Sequence, residues 1–524
     1  MLTCLIKNLT ILFFSFLVSI SSLAQVPEDA LRLSWYVPSG TARQQAIGGA
    51  MGSLGGDITA SFVNPAGLGL YKTGEVVLSP GFRFGSNNID YRGTSTNGSS
   101  ANNFNMGASG VIFAFPGENG TSSSALSLAV NRTANFGSHV NYTGLNDYSS
   151  FSEQYAEEFA NSGLSINDAI NSPQISYGTR MALYSYLIDT ITIGGVTQVI
   201  GLPQKVLSAG GALQQTKYSN SSGGITEIAI AIAGNSHDKW LYGGTLGIPV
   251  VNYTRDLSFT ESDATGDVNN DFATSTYTEH YNTTGAGINL KVGGIFMPDA
   301  SWRIGLAVHT PTWYTLNDEF SAGMSTNTEQ YTSNPQPITI TSTDLDNATG
   351  GSISGLRYYV TSPWKFLISG SYLFGGGESD VKKQKGFITG DLEYVTTNST
   401  RLSASEDFAD PNYYNGLNSA IKQLYKGAFN FRIGGEMKFN TFLARAGFAY
   451  TTNPYQGGQL KADQYFISGG LGYRNKGFFV DIAYVYGSGK DADFPYRLSD
   501  KANTYATLSR TSGTALVTVG VKIP

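Results

Sequence analysis

Residues 477–487 read GFFVDIAYVYG, and their order decides the fold. Phe478, Val480, Ile482, Tyr484 and Tyr486 fall on one face of an extended chain; Phe479, Asp481, Ala483 and Val485 fall on the other. Successive side chains of a strand point to opposite faces. One face is therefore wholly apolar while its back carries a carboxylate. Such a pattern suits a soluble sandwich or a membrane barrel.

The pattern recurs along the chain. Phe429, Phe431, Ile433 and Met437 oppose Asn430, Arg432, Glu436 and Lys438; Phe442, Ala444, Ala446, Phe448 and Tyr450 include Arg445 on the opposite side. The last residues alternate too, with Val517, Val519, Val521 and Ile523 against Thr518, Gly520 and Lys522. Charge behind a large apolar face fits lipid outside and a polar lumen inside. Segments of this kind are expected at about 74–86, 104–115, 124–137, 224–234, 239–253, 281–297, 301–316, 354–375, 386–396, 428–438, 441–452, 464–474, 477–488 and 514–523. That makes an all-β chain with a 14-stranded antiparallel transmembrane β-barrel over 73–524.

The connections support the barrel. Those at 116–123, 235–238, 298–300, 376–385, 439–440 and 475–476 are short, whereas 138–223, 254–280, 317–353, 397–427 and 489–513 are long. Outer-membrane barrels have short periplasmic turns and longer extracellular loops, with an even strand number. Both ends then lie on the periplasmic side. An extra strand at 207–218 would break the parity, so that stretch is assigned to the loop. The long loop at about 138–223 carries helical signals. Ser150 and Glu153 form a capping box ahead of Phe151, Tyr155 and Phe159, which recur at i, i+4 and i+8 up to Gly163, and a second helix is expected from Tyr177 to Ile188. These three aromatics are candidates for capturing an apolar ligand above the barrel mouth; the alternative is a lid packed on itself.

Composition agrees. The 524 residues carry a net charge of −6, only 14% charged residues, and 31 Tyr and 29 Phe. Soluble proteins average about 25% charged residues, and abundant aromatics suit strands and membrane-interface girdles. No basic run offers a footprint for nucleic acid. Residues 1–24 read as a signal peptide: Lys7, then the apolar run Leu9–Ile20, then Ser22-Leu23-Ala24 before Gln25. The single cysteine, Cys4, lies inside it, leaving the mature chain no disulfide or thiolate. No later segment reaches the ~18 apolar residues of a membrane helix.

Residues 25–72 precede the first strand and are rich in glycine. A small-residue segment of this kind suits a narrow lumen, with glycines permitting close approach and Pro65 fixing the local backbone. The block GTARQQAIGGAMGSLGGDITASFVNPAGLGLY, Gly40–Tyr71, resembles the N-terminal hatch of the FadL/TodX outer-membrane transporters of hydrophobic compounds. The Bacteroidetes branch, often labelled hemin receptor, is the most similar; AVNRTANFG (Ala129–Gly137) and SPWKFLISGSYLFG (Ser362–Gly375) resemble it too. The resemblance implies passive uptake across the outer membrane of a multi-pass, monomeric barrel in a Gram-negative cell. A hydrophobic small molecule would be captured by the loops and leave sideways through a gap at a kinked third strand. It also implies a hatch that gates the path through Gly48, Gly49, Asp57, Asn64, Pro65, Ala66 and Gly67. Partners would be outer-membrane lipid and lipopolysaccharide, with the barrel-assembly machinery during biogenesis. The chain departs from many barrels in ending Ile523-Pro524 rather than in an aromatic residue.

The third strand supports the kink independently. Leu126, Leu128 and Val130 set an outward register whose next member is Arg132. A lipid-facing Arg near mid-membrane costs about 2–4 kcal/mol. A bulge at Asn131–Asn135 would relieve that cost and open a side gap. The lumen charges Arg303, Arg432, Glu436, Arg445 and Asp481 line a ligand path or, more simply, form a salt-bridged network that pins the hatch. His139, His237, His280 and His309 offer little for haem, which wants a positioned His or Tyr. No nucleophile–base spacing, phosphate loop or metal cluster points to an enzyme, and no cofactor is expected. A TonB-coupled receptor would need a larger plug and more strands. The remaining alternatives on the same fold are a secretion-system adapter and a haem-binding receptor.

Overall fold

The computed structural model describes residues 27–34, 37–193, 195–349, 355–375, 385–405, 411–457 and 461–523. The expected signal peptide lies outside them, as do the terminal Pro524 and most of the 376–385 connection. Fourteen antiparallel strands close one barrel. They are β1 (Gly74–Leu78 and Pro80–Tyr91), β2 (Thr94–Met106 and Ser109–Pro116), β3 (Ser123–Asn135 and Ser138–Asn146), β4 (Leu213–Ser236) and β5 (Trp240–Asp263). β6 (Thr274–Phe296), β7 (Trp302–His309 and Trp313–Asn327), β8 (Leu356–Thr361 and Lys365–Phe374), β9 (Gly386–Val395 and Arg401–Ala404) and β10 (Ala428–Phe439) follow. β11 (Phe442–Thr451), β12 (Gln464–Asn475), β13 (Phe478–Asp493) and β14 (Ala506–Ile523) complete the sheet. Each strand pairs with the next. β14 returns to β1, with Gly74 opposite Ile523 and Asp90 opposite Thr507.

The apolar faces read from the sequence point outward. Phe82, Leu128, Ile232, Val292, Leu306, Ile368, Ile433, Ile467, Ile482 and Val519 are all exposed, forming a continuous belt. In water such a patch would mark an aggregating surface; around a closed sheet it is the lipid contact. Aromatic pairs rim its short-turn side, among them Trp240–Phe296 at 4.4 Å, Trp302–Tyr372 at 4.8 Å and Phe442–Tyr473 at 5.4 Å between ring centres. Among the described residues no helix is long and apolar enough to cross a membrane.

Several strands outrun their apolar signal. β4 and β5 each have 24 residues, about 80 Å of chain at 3.3 Å per residue. β1 and β2 meet in a tight turn at Arg92–Gly93 where the sequence pattern left 87–103 as a connection. β3 runs to Asn146 and β4 starts at Leu213, so the excursion expected at 138–223 spans 147–212. Of the stretch 207–218 assigned to the loop, residues 213–218 start β4 rather than forming an extra strand, and the even count stands. The physical reason is common to these differences. Beyond the belt the outward face turns polar, as at Asn252, Thr254, Asp256 and Ser258 of β5, while the inward face keeps buried aromatics such as Tyr253 and Phe259. The outward apolar signal therefore stops at the membrane edge while the ladder continues.

The excursion 147–212 forms a lid of short helices, Ser152–Ser162, Ile166–Asn171, Tyr177–Tyr184 and Pro203–Ser208, with a hairpin of Ile188–Ile193 and Val196–Gly201. Glu153 accepts from the backbone N–H of Ser150 at 2.8 Å, one half of the expected capping box. The second helix ends at Tyr184, short of Ile188, which opens the hairpin.

Candidate transport path

The hatch fills the lower lumen. Its helices Ala42–Ala46 and Ala60–Val63 and the 3-10 turn Pro65–Leu70 are almost wholly buried. Gly48 and Gly49 adopt φ +69° and +81° and turn the chain back on itself. Asp57 accepts from Thr41 Oγ1 at 2.8 Å and from the Thr59 N–H at 2.9 Å, joining two hatch segments. Asn64 caps the 3-10 turn through the Ala66 N–H at 3.2 Å while its amide donates to Gly52 O at 2.6 Å and Leu306 O at 3.3 Å. Asn64 therefore links hatch to wall. Pro65 opens the turn, and Gly67 lies against Gly55, where a Cβ would come within 2.8 Å of the Gly55 Cα.

The wall receives this segment on bare backbone. A Cβ added at Gly293 would lie 2.0 Å from Asn64 Oδ1, at Gly305 2.4 Å from Gly52 O, at Gly434 2.2 Å from Ile47 O and at Gly447 2.0 Å from Gly48 N. Gly243 and Gly470 face Pro65 and Ala46 in the same way, at 2.6 Å each. Interiors pack to crystal density, so this collar leaves no space for even a methyl group.

The lumen charges around the hatch form a network. Arg445 pairs with Glu436 and Asp481 at 2.6 Å each, and Arg432 with Glu393 at 2.7 Å. Arg43 of the hatch lies 3.6 Å from Glu436, Asp391 accepts from Met51 N–H at 3.0 Å, and Arg303 donates to Leu54 O. These charges pin the hatch. They were legible as inward residues but not as partners, because pairing depends on strand register.

Above the hatch lies a cavity of about 150 Å³, lined in part by Asn131, Glu227, Lys291, His309, Glu393 and Arg432. Lys291 pairs with Glu227, and His309 Nε2 meets the Val63 carbonyl at 2.8 Å. An aromatic, apolar cluster also lines the lumen, with Ile225, Val251, Tyr314, Leu316, Tyr358 and Tyr414 around the N-terminal helix Pro27–Arg32. Arg32 pairs with Asp29 at 2.6 Å and stacks its guanidinium 3.8 Å from the Tyr253 ring centre. Sequence reasoning missed this cluster. Its inward tyrosines sit where alternation gives no apolar–polar contrast.

The two regions meet at β3. Its pairing with β4 shifts register between Arg132 and Ala134, and the strand breaks after Asn135, whose side chain accepts from the Gly137 N–H at 2.9 Å. Asn131 is fully buried, facing inward. Arg132 is half-buried, its guanidinium over Gly224. Past the break β3 pairs with β4 through Ser138–Asn146, while the outer half of β2 pairs with β1. Asn87 of β1 bridges to the His139 carbonyl at 2.7 Å. Phe136, at the break, packs edge-on to Tyr253 at 5.6 Å.

Phe151, Tyr155 and Phe159, candidates for open ligand capture, are buried in the lid. Phe151 contacts Phe259 at 4.7 Å, Tyr155 at 5.1 Å and Tyr277 at 5.6 Å. The lid is packed down on the strand extensions here, which present aromatic partners the sequence pattern did not place. Beneath it Glu261, beyond the last belt residue Val250 of β5, accepts from Ser150 Oγ and the Phe151 N–H at 2.7 Å each. Burial pushes its carboxyl up to about 7. Of the other histidines, His280 pairs with Asp256 at 2.6 Å and His237 lies in a short turn. Among the described residues no group of three or more His, Cys, Asp or Glu could hold a metal.

A lipid-belted, closed barrel with its lower lumen filled by its own N-terminal segment is a hatch-bearing transmembrane barrel. Its fold is that of the FadL-type channels. A Pseudomonas aeruginosa FadL homologue superposes with a TM-score of 0.55 over 94% of this chain and all of the other, at 12% identity. The Pseudomonas putida toluene transporter TodX does so with 0.50, over 93% of this chain and 99% of the other, at 10% identity. No family model and no curated protein matches the sequence.

Proposed function

We propose that this protein is an outer-membrane channel for passive uptake of hydrophobic compounds, fatty acid-like or aromatic, which leave sideways into the bilayer. The observation that carries the reading is the junction at β3. An apolar aromatic cluster adjoins the strand break through Phe136 and Tyr253, while ion pairs and the hatch lie below. An apolar solute gains roughly 0.8 kcal/mol for each CH₂ it keeps out of water. Continuing downward past Glu227–Lys291 and the collar is uphill; stepping out at the break into lipid is not. Asn131, Arg132 and Asn135 act here as the exit kink. Gly48, Gly49, Asp57 and Asn64–Gly67 act as the seal that closes the periplasmic end. The likeness of fold to channels titled as FadL homologue and toluene transporter accords with this role.

The test is accumulation of a labelled long-chain alcohol by cells or liposomes carrying the protein, against the same membranes without it. Equal accumulation in both overturns the proposal. Co-purification with secretion components and no transport would make it an adapter instead.

A further inference from the structure

The aromatic chamber already holds an organic cation, and that cation belongs to the chain. Arg32, on the helix Pro27–Arg32, lies 3.8 Å over Tyr253. Tyr253 in turn packs edge-on against Tyr281 at 6.2 Å. Behind them Asp318 is buried, and it accepts hydrogen bonds from the hydroxyls of Tyr281 and, at 3.2 Å, Tyr358. Arg255 on the same wall is taken up by its own pair with Glu279.

The chemistry of these groups is selective. An aromatic face attracts a cation lying over it, the more strongly when water is excluded. A buried carboxylate braced by two phenols adds negative potential that an anionic head group would have to oppose. Asp29 and Arg32 both belong to the helix, so a ligand taking the helix's place would displace them together. Asp318 and the tyrosine faces stay behind. We propose that this chamber is a binding site for amphiphiles with an organic cationic head group, such as an alkyl-ammonium, and that Pro27–Arg32 is its built-in competitor, with Arg32 standing in for that head group. The proposal rests on the uptake reading for how the ligand arrives, but the site is tested by binding alone.

The experiment compares three probes with the same chain, dodecyltrimethylammonium, dodecanol and dodecanoate, by calorimetry on the full mature protein in non-ionic detergent. The cation should bind tightest and dodecanoate weakest. Asp318→Asn should weaken the cation by about tenfold and leave dodecanol unchanged, a factor within reach of one desolvated charge contact. Arg32→Ala should tighten the cation by removing its competitor. Tyr253→Leu, which keeps the carboxylate, should weaken the cation more than dodecanol and serves if Asp318→Asn does not fold. Dodecanoate binding tightest, or a cation affinity untouched by both Asp318→Asn and Tyr253→Leu, overturns the site. Failure of dodecanol to accumulate in liposomes, with cation-selective binding intact, would instead remove the transport reading and leave the site standing.

Discussion

Asn131 of β3 accepts a hydrogen bond from the Gly40 backbone N–H at 3.2 Å, and its amide reaches Ser39 Oγ at 3.4 Å. The strand that breaks is thus tied to the start of the hatch. Asn131→Ala leaves the buried Gly40 N–H without its partner, a loss worth about 1–3 kcal/mol. Amide exchange across residues 39–41 should speed up by at least about tenfold while the barrel stays heat-modifiable on gels. Unchanged exchange would show that the tie carries no energy.

Crossing the break with a covalent bond should stop lateral exit. A Cβ at Gly137 would lie 2.8 Å from Asn103 Cγ, close to the spacing a disulfide needs. The sequence carries a single cysteine, Cys4, which a Cys4→Ser background removes from the assay. The oxidised Asn103→Cys, Gly137→Cys pair should lose uptake of a long-chain solute and regain it on reduction. Normal transport by the cross-linked barrel would send the solute through the periplasmic end.

Deleting Ala46–Asn64 should leave an inserted, β-rich barrel that leaks small solutes, since every strand pair is closed by its neighbours. Its melting temperature should fall, because glycine-bearing strands lose their packing partner. Failure to insert would make the segment part of the fold's nucleus rather than a seal.

The lid should loosen as pH rises. Glu261 has a folded value near 7 against an ordinary 4.5, so the folded lid holds a proton that the open lid releases. Stability then falls as pH climbs through that window, being greatest below the lower value. Protease cleavage within 152–162 should increase between pH 5 and 8, and Glu261→Gln should flatten the profile. An equally steep profile in that variant would assign the effect elsewhere.

How much of this was readable in the sequence depends on where lipid lies. Inside the belt, Phe478–Tyr486 and Phe429–Met437 declared both faces, because lipid favours apolar side chains at outward positions. The Arg132 anomaly located the register shift in β3 for the same reason. Above the belt water makes no such demand, and Leu213–Ser222 or Thr94–Ala101 form strands without alternation. Contacts made across the lumen were illegible: nothing in the spacing of Asn64 and Gly293, or of Arg32 and Tyr253, shows that they meet. The Gly40–Tyr71 block stood out through its resemblance to a family motif and not through any spacing.

The glycine collar inverts the usual ranking of mutability. In most packed cores a volume-conserving swap of apolar side chains costs little. Here Gly293, Gly305, Gly434 and Gly447 cannot gain one carbon, while their neighbours outward can trade one apolar side chain for another. The tightest packing in the barrel is thus wall glycine against hatch, and a substitution that is ruinous there is expected to be mild on the side that faces lipid.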